Sequence, residues 1–381
     1  MVMIMKKILS IILACALLCP YSISAFADEK KDEIEAKSVV LMCMDTGDIL
    51  YRYNEKEHLS PASVTKIMTI LLVLEALDTH QISLDDKVTA SSDAVSMGGS
   101  QIWLEKGEIM TVDELLKAVV IASANDACTA LGEYIGGSSE GFVRMMNERA
   151  KALGCNDTNF ENCNGLDDTV TNHYSCALDL AVISCEVMKH KLIENYSTIW
   201  LDSLRNGETE LNNTNKMVNT YNGITGLKTG TTSNAGFCVS ATARRDGMNL
   251  VAVVLGSKTS EARFSTAAKL LDKGFAEYEL IAPQINEQKI KPVAVKNGVF
   301  KEIKPKADYN GKFLIKKGAD KPTYRYKVKK SVEAPLHKNE VLGEITVLSG
   351  KHKVGEILLI SPNDINRIQL KSIFCDLLVK I

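Results

Sequence analysis

Apolar and polar positions alternate through SVVLMCMDTGDILYRYN, and Asp45-Thr46-Gly47-Asp48 separates the two halves. A period of two around a turn-forming cluster predicts a β-hairpin. After Ser63 the pattern changes. KIMTILLVLEAL is too continuously apolar for a surface helix, so it predicts a helix running through the middle of a domain. TVDELLKAVVIAS offers Thr111 as a cap with Glu114 three residues later, the signature of a capping box at a helix start. GFVRMMNERAKALG reads as an amphipathic helix stopping at Gly154, and SCALDLAVISCEVMKH and SEARFSTAAKLLDKGFAEYE read as further helices. GFCVSATARR and MNLVAVVLG flank Asp246-Gly247 as a pair of strands. Strands, then many helices, then strands predict an α+β domain, an antiparallel sheet flanked by helices, over residues 36–280.

Near Pro283 the pattern shifts again. Short alternating segments (GKFLIKK, TYRYKVKK, GEITVLSG), punctuated by Asn310-Gly311, Lys317-Gly318 and Ser349-Gly350, predict a small all-β domain over 283–360. Its many lysines read as a solvated face. In the tail, 361–381, Leu370, Phe374, Leu377 and Ile381 fall on one helical stripe beside Arg367, Lys371 and Lys380. This predicts a C-terminal amphipathic helix capped near Ser361. It either makes peripheral contact with the outer face of a membrane or packs on its own domain.

Composition narrows the picture. The 381 residues are 45% hydrophobic and 24% charged with a net charge of -2, enough chain for a sizeable core and no basic field to argue for nucleic acid. At the N-terminus, Lys6 and Lys7 precede an apolar run ending in Ala25-Phe26-Ala27. That is the form of a secretory signal peptide over 1–27, and it makes the protein exported and extracytoplasmic. A retained anchor is the alternative, although Pro20 and Ser24 interrupt the run. Ten cysteines are present, two of them in the signal. None forms a C-x-x-C pair, so no metal site is expected, and their apolar contexts favour mostly free, buried thiols.

Chemistry concentrates in three places. Ser63-Val64-Thr65-Lys66 puts a lysine one helical turn after a serine. Burial among Ile67, Met68, Ile70 and Leu71 would push the amine toward its neutral form, so that it could activate the hydroxyl. A helix starting at Ser63 would also aim free N–H groups at an oxyanion. Ser123-Ala124-Asn125 follows a helical run and offers a second hydroxyl to shuttle a proton and an amide to grip a peptide. Lys228-Thr229-Gly230, with Thr231 next, precedes a strand and offers a fixed positive charge, a carboxylate-binding hydroxyl and a glycine that admits a substrate backbone. Each motif alone is common.

In this order and at these separations, however, they resemble the penicillin-interacting serine enzymes. PASVTKIMT, SANDAC, FENCNGLD with NHYSCALDLA, and GLKTGTT are similar to the D-alanyl-D-alanine carboxypeptidases, the low-molecular-mass penicillin-binding proteins. The resemblance spans about 38–280 and extends to the layout of the β domain and terminal helix. It implies a penicillin-binding/β-lactamase-like transpeptidase fold and removal of the terminal D-alanine from peptidoglycan stem pentapeptides, with no cofactor and with β-lactams as trapping inhibitors. Ser63 would be the nucleophile, Lys66 its base and Ser123 the proton relay. Asn125 would hold the stem peptide, Lys228 would stabilise the site, and Thr229 would bind the terminal carboxylate with Arg263 assisting. The N–H groups of Ser63 and Thr231 would form the oxyanion hole, beside Gly230. Ala124 stands where the family usually has glycine, and His173 reads as structural. A β-lactamase using Glu161, a D,D-endopeptidase or transpeptidase, and a non-catalytic wall-binding protein are the alternatives.

Overall fold

The computed structural model describes residues 34–168, 170–309 and 311–369. The expected export signal therefore lies outside the described residues. The central sheet has five antiparallel strands: β1 (Ser38–Cys43), β2 (Ile49–Tyr53), β5 (Ile224–Thr232), β6 (Gly236–Arg245) and β7 (Met248–Ser257), in the order β2-β1-β7-β6-β5. The hairpin read from the alternating pattern around Gly47 is β1–β2, and the one around Asp246-Gly247 is β6–β7.

From Leu250 to Leu255, LVAVVL is apolar at every position because both faces of β7 are covered there. Val251, Val253 and Leu255 join the core formed with α1 (Lys66–Asp78), α2 (Val112–Ile121), α3 (Asn125–Gly136), α4 (Ser139–Ala152) and α5 (Ala177–Val187). On the opposite face Leu250 packs beside Gly274 of α6 (Ser260–Glu277). The unbroken apolar stretch after Ser63 is α1, with ten of its thirteen residues buried. Helix α2 opens with the capping box: Thr111 Oγ1 accepts from Glu114 N at 3.1 Å, and Thr111 N donates back to Glu114 Oε2 at 2.8 Å. A hairpin of β3 (Leu201–Leu204) and β4 (Thr209–Asn212) stands outside the central sheet.

The second region is all β. The strand β8 (Tyr278–Ile281) already pairs with β12 (Phe313–Lys316), so the chain joins these sheets directly after α6, before Pro283. The strands β9 (Val293–Lys296), β10 (Glu302–Ile303) and β14 (Ser331–Glu333) make a three-stranded sheet. The strands β11 (Lys306–Asp308), β13 (Thr323–Val328), β15 (Val341–Ser349) and β16 (His352–Ile360) make a four-stranded one. Two small cores support them, one around Val293, Leu336 and Leu342 and one around Ile345, Ile357 and Leu359.

The expected terminal helix does not begin at Ser361. Ile365 is 2% exposed and belongs to the core around Leu336, with which it exchanges backbone hydrogen bonds of 2.7 and 2.9 Å. A buried apolar side chain and a bridging backbone hold this stretch extended. The stripe from Leu370 onward lies outside the described residues. Among the described residues no helix is long and apolar enough to cross a membrane.

Candidate active site

Ser63 lies on a 3-10 turn, Ala62–Thr65, and the α-helix proper begins at Lys66, three residues later than the pattern suggested. The turn still points the two side chains together. Lys66 is fully buried, and its Nζ donates to Ser63 Oγ at 2.8 Å, Asn125 Oδ1 at 2.5 Å and the Asn164 carbonyl at 2.7 Å. Three acceptors match the three protons of an ammonium. Burial nevertheless lowers the amine's pKa to about 8, with the negative character of Cys128, Cys163 and Asp126 opposing the drop. Near neutral pH the group is therefore close to giving up its proton, and Ser63 is the neighbour able to replace it.

Asn125 opens α3 and is itself held twice, its Nδ2 donating to Gly98 O at 2.7 Å and its N to Ser100 O at 2.7 Å. Ser123 is 4% exposed at the junction of α2 and α3, in left-handed backbone with φ +63°. Asp126, directly after Asn125, is buried, and its carboxylate accepts from the N–H groups of Ile102, Leu104 and Ala127. These bonds tie the 98–104 loop to the start of α3.

The third motif lies on β5, the edge of the sheet. A Cβ on Gly230 would sit 2.7 Å from Pro61 O and 2.9 Å from Ser63 N and Val64 N, so only glycine lets the strand lie this close to the serine turn. Lys228 is 1% exposed and donates to Thr229 O at 3.0 Å. Its pKa is held well below the lysine range by burial, then by the positive charges of Lys66 and Arg263. Thr229 Oγ1 donates to Thr214 Oγ1 at 2.7 Å. Arg263 reaches β5 from α6: its Nη1 donates to Gly230 O at 3.0 Å, Thr231 Oγ1 at 2.9 Å and Cys238 O at 3.2 Å. Burial lowers its pKa to about 10. These bonds tie α6 to Thr231 and the edge strand.

Several participants escape a motif search because they come from a loop returning over the site. Asn164 contributes a backbone carbonyl, which no residue pattern marks. Gly165 has φ +83°, and a Cβ there would fall 1.8 Å from Ala62 O, so the loop presses on the serine turn from another side. Asp167 Oδ2 accepts from Thr232 Oγ1 at 2.6 Å and Ser60 Oγ at 3.1 Å, joining the loop, β5 and the serine segment. His173 Nδ1 accepts from Glu161 N at 3.0 Å, which leaves Nε2–H to donate to Thr65 Oγ1 at 2.8 Å. Burial lowers its pKa to about 4, so it is a neutral strut. Glu161 accepts from Thr171 N and Asn172 N at 3.0 and 2.7 Å, so that carboxylate is engaged in shaping the loop.

The seven described cysteines are free. Asp157, Cys176 and Asp179 have ligand-type atoms within 4.8 Å of one another. Asp179 Oδ2 accepts from Asp157 N and Thr158 Oγ1, and Cys176 Sγ accepts from Asp179 N as the cap of α5, so hydrogen bonds account for the cluster.

Residues 25–259 match the family described as D-alanyl-D-alanine carboxypeptidase, and residues 278–367 match one described as penicillin-binding protein 5, C-terminal domain. Over 307 residues the chain is 44% identical to D-alanyl-D-alanine carboxypeptidase DacF of Bacillus subtilis, covering 78% of each chain. Penicillin binding protein 5 from Haemophilus influenzae is similar in structure, with a TM-score of 0.80 and 30% identity over 88% of this chain and 98% of that one. Penicillin-binding protein D2 from Listeria monocytogenes, in its ampicillin-bound form, is similar with a TM-score of 0.59 and 30% identity over 64% of this chain and 98% of that one.

Proposed function

The chain belongs to the D-alanyl-D-alanine carboxypeptidase family, serine hydrolases of cell-wall peptidoglycan metabolism, and from that premise we propose how its residues divide the work. The stem peptide lies along the free edge of β5 as an added strand, which the unpaired side of Thr229–Thr231 favours. Its terminal carboxylate meets Lys228 and Thr229. The arriving negative charge offsets the repulsion and burial that depress the Lys228 pKa, and so fixes that amine as a cation in the complex.

Neutral Lys66 takes the Ser63 proton as Oγ attacks the carbonyl between the two D-alanines. The oxyanion is held by the N–H groups of Ser63 and Thr231, on two segments that Gly230 allows to approach. The C–N bond then breaks, and the proton reaches the departing D-alanine amine through Ser123. Water attacks the remaining ester and restores Ser63. A β-lactam enters the same step: Oγ opens its ring, but the leaving nitrogen stays tethered and the acyl-enzyme persists.

The observation that carries this reading is the buried Lys66 amine, 2.8 Å from the Ser63 hydroxyl. The enzyme would act outside the cytoplasmic membrane after export. Mass spectrometry after penicillin treatment tests the chemistry. One adduct is expected on the Ser63 peptide, with none in Ser63→Ala, and free D-alanine is expected from a stem pentapeptide. Adducts elsewhere, or D-alanine release by Ser63→Ala, would refute the assignment.

A further inference from the structure

The most exposed large apolar side chain among the described residues stands beside this site. Trp103 is 74% exposed, while its neighbours Ile102 and Leu104 are 2% and 6% exposed. Its backbone is left-handed, with φ +58°, a conformation an L-residue with a bulky side chain seldom takes. Anchors on both sides hold it. The N–H groups of Ile102 and Leu104 donate to the Asp126 carboxylate at 3.0 to 3.2 Å, and Ile102 O accepts from Arg205 Nη1 at 2.9 Å. The indole is thus displayed outward on a rigid loop. Three residues back, Ser100 O receives the Asn125 N–H, so the Cα atoms of Ser100 and Trp103 lie within about 11 Å of each other.

Trp103 walls a cavity of about 600 Å³ whose charged lining residues are Glu105, Glu108, Arg205, Glu208 and Glu210. Arg205 pairs with Glu108, Nε to Oε1 at 2.7 Å and Nη2 to Oε2 at 3.0 Å, which leaves the other three carboxylates without an ion pair among the described residues. An exposed indole face attracts cations through its quadrupole, and nearby carboxylates add to the same field. The charge of the lining selects an occupant bearing a positive group.

We propose that the Trp103 groove binds the side-chain ammonium of the diamino acid that precedes D-Ala-D-Ala in the stem. The inference rests on the carboxypeptidase reading above and deepens it. A free amine marks a stem that is not cross-linked, whereas a cross-linked stem carries that nitrogen as a neutral amide. The groove makes Trp103, Glu208 and Glu210 specificity residues, through which the enzyme distinguishes free stems from joined ones.

The test compares a lysine-containing stem pentapeptide with its Nε-acetyl form, reading kcat and KM separately at low and high salt. In the wild-type protein the acetyl group is expected to raise KM about ten-fold with kcat nearly constant, and salt should shrink that ratio. Trp103→Ala, and independently the Glu208→Gln, Glu210→Gln pair, should bring the ratio close to one. Equal KM values for the two peptides in the wild-type protein would overturn the inference. So would an equal loss on both peptides in the variants, which would make the tryptophan a structural or purely apolar element. Penicillin labelling of Ser63 run alongside separates the two levels: labelling without amine discrimination rejects the groove alone, and absence of both labelling and D-alanine release rejects the carboxypeptidase reading as well.

Discussion

Lysines in the two halves of the molecule have opposite fates. Lys66 and Lys228 are 0% and 1% exposed, whereas Lys327 of the β domain leaves 81% of its side chain in solvent. Residue type is the same, and the difference is what surrounds the amine. In the α+β domain, packing removes water from two ammonium groups and lowers both pKa values. In the β domain, Lys327 meets Glu344 at 3.2 Å across β13 and β15 in open solvent, where an ion pair is worth little. Reactivity here is bought with stability.

Replacing Lys66 tests that comparison most severely. Lys66→Met should lower the rate of penicillin acylation by about three orders of magnitude or more, since the nucleophile loses its base. The same variant should be more stable at pH 7, by about 2 kcal/mol in urea unfolding, because a buried charge has been removed. The folded lysine gives up its proton near pH 8 and the unfolded one only near pH 10, as about 10.4 is the free-lysine value. Between these limits the unfolded chain binds more protons, so wild-type stability should rise with pH across that window. The Met variant should lack that part of the rise. A Met variant less stable than wild type would break the comparison.

Gly230→Ala should come next. A methyl group forced against Pro61 O and the N–H groups of Ser63 and Val64 would part the edge strand from the serine turn, costing about a hundred-fold in acylation rate measured by stopped flow. A smaller effect is expected from pH alone. If neutral Lys66 is the base, kcat/KM should rise about ten-fold per pH unit up to about pH 8 and then level. A profile flat from pH 6 to 9 would separate burial from activation. The least change is expected from Lys327→Ala, within about 0.5 kcal/mol in stability and without effect on acylation.

Much of this was legible in local patterns. The alternation around Gly47 and Asp246-Gly247, the unbroken apolar run of α1 and the Thr111–Glu114 box all report short-range geometry, and each formed its element. Ser63 and Lys66 could be read because three residues bring them together. What brings Asn125 and Lys228 to them is tertiary, and only the family resemblance joined the three motifs. The Asn164 carbonyl and the Asp167 bridge left no trace, since a backbone oxygen carries no residue signature and the bridge spans 65 and 107 positions. The expected helix start at Ser361 failed because Ile365 answers to the core around Leu336, a demand invisible in the spacing of the tail itself.

Gly165 and Gly230 close on the serine turn from two segments, and neither leaves room for even one added carbon. This constrains how the protein could escape a β-lactam by mutation. Any side chain added at either point would displace the oxygen that the drug captures and would disable turnover of the natural substrate too. Variation that weakens capture yet spares the enzyme has to occur farther out, along the surfaces that greet the remainder of an incoming molecule.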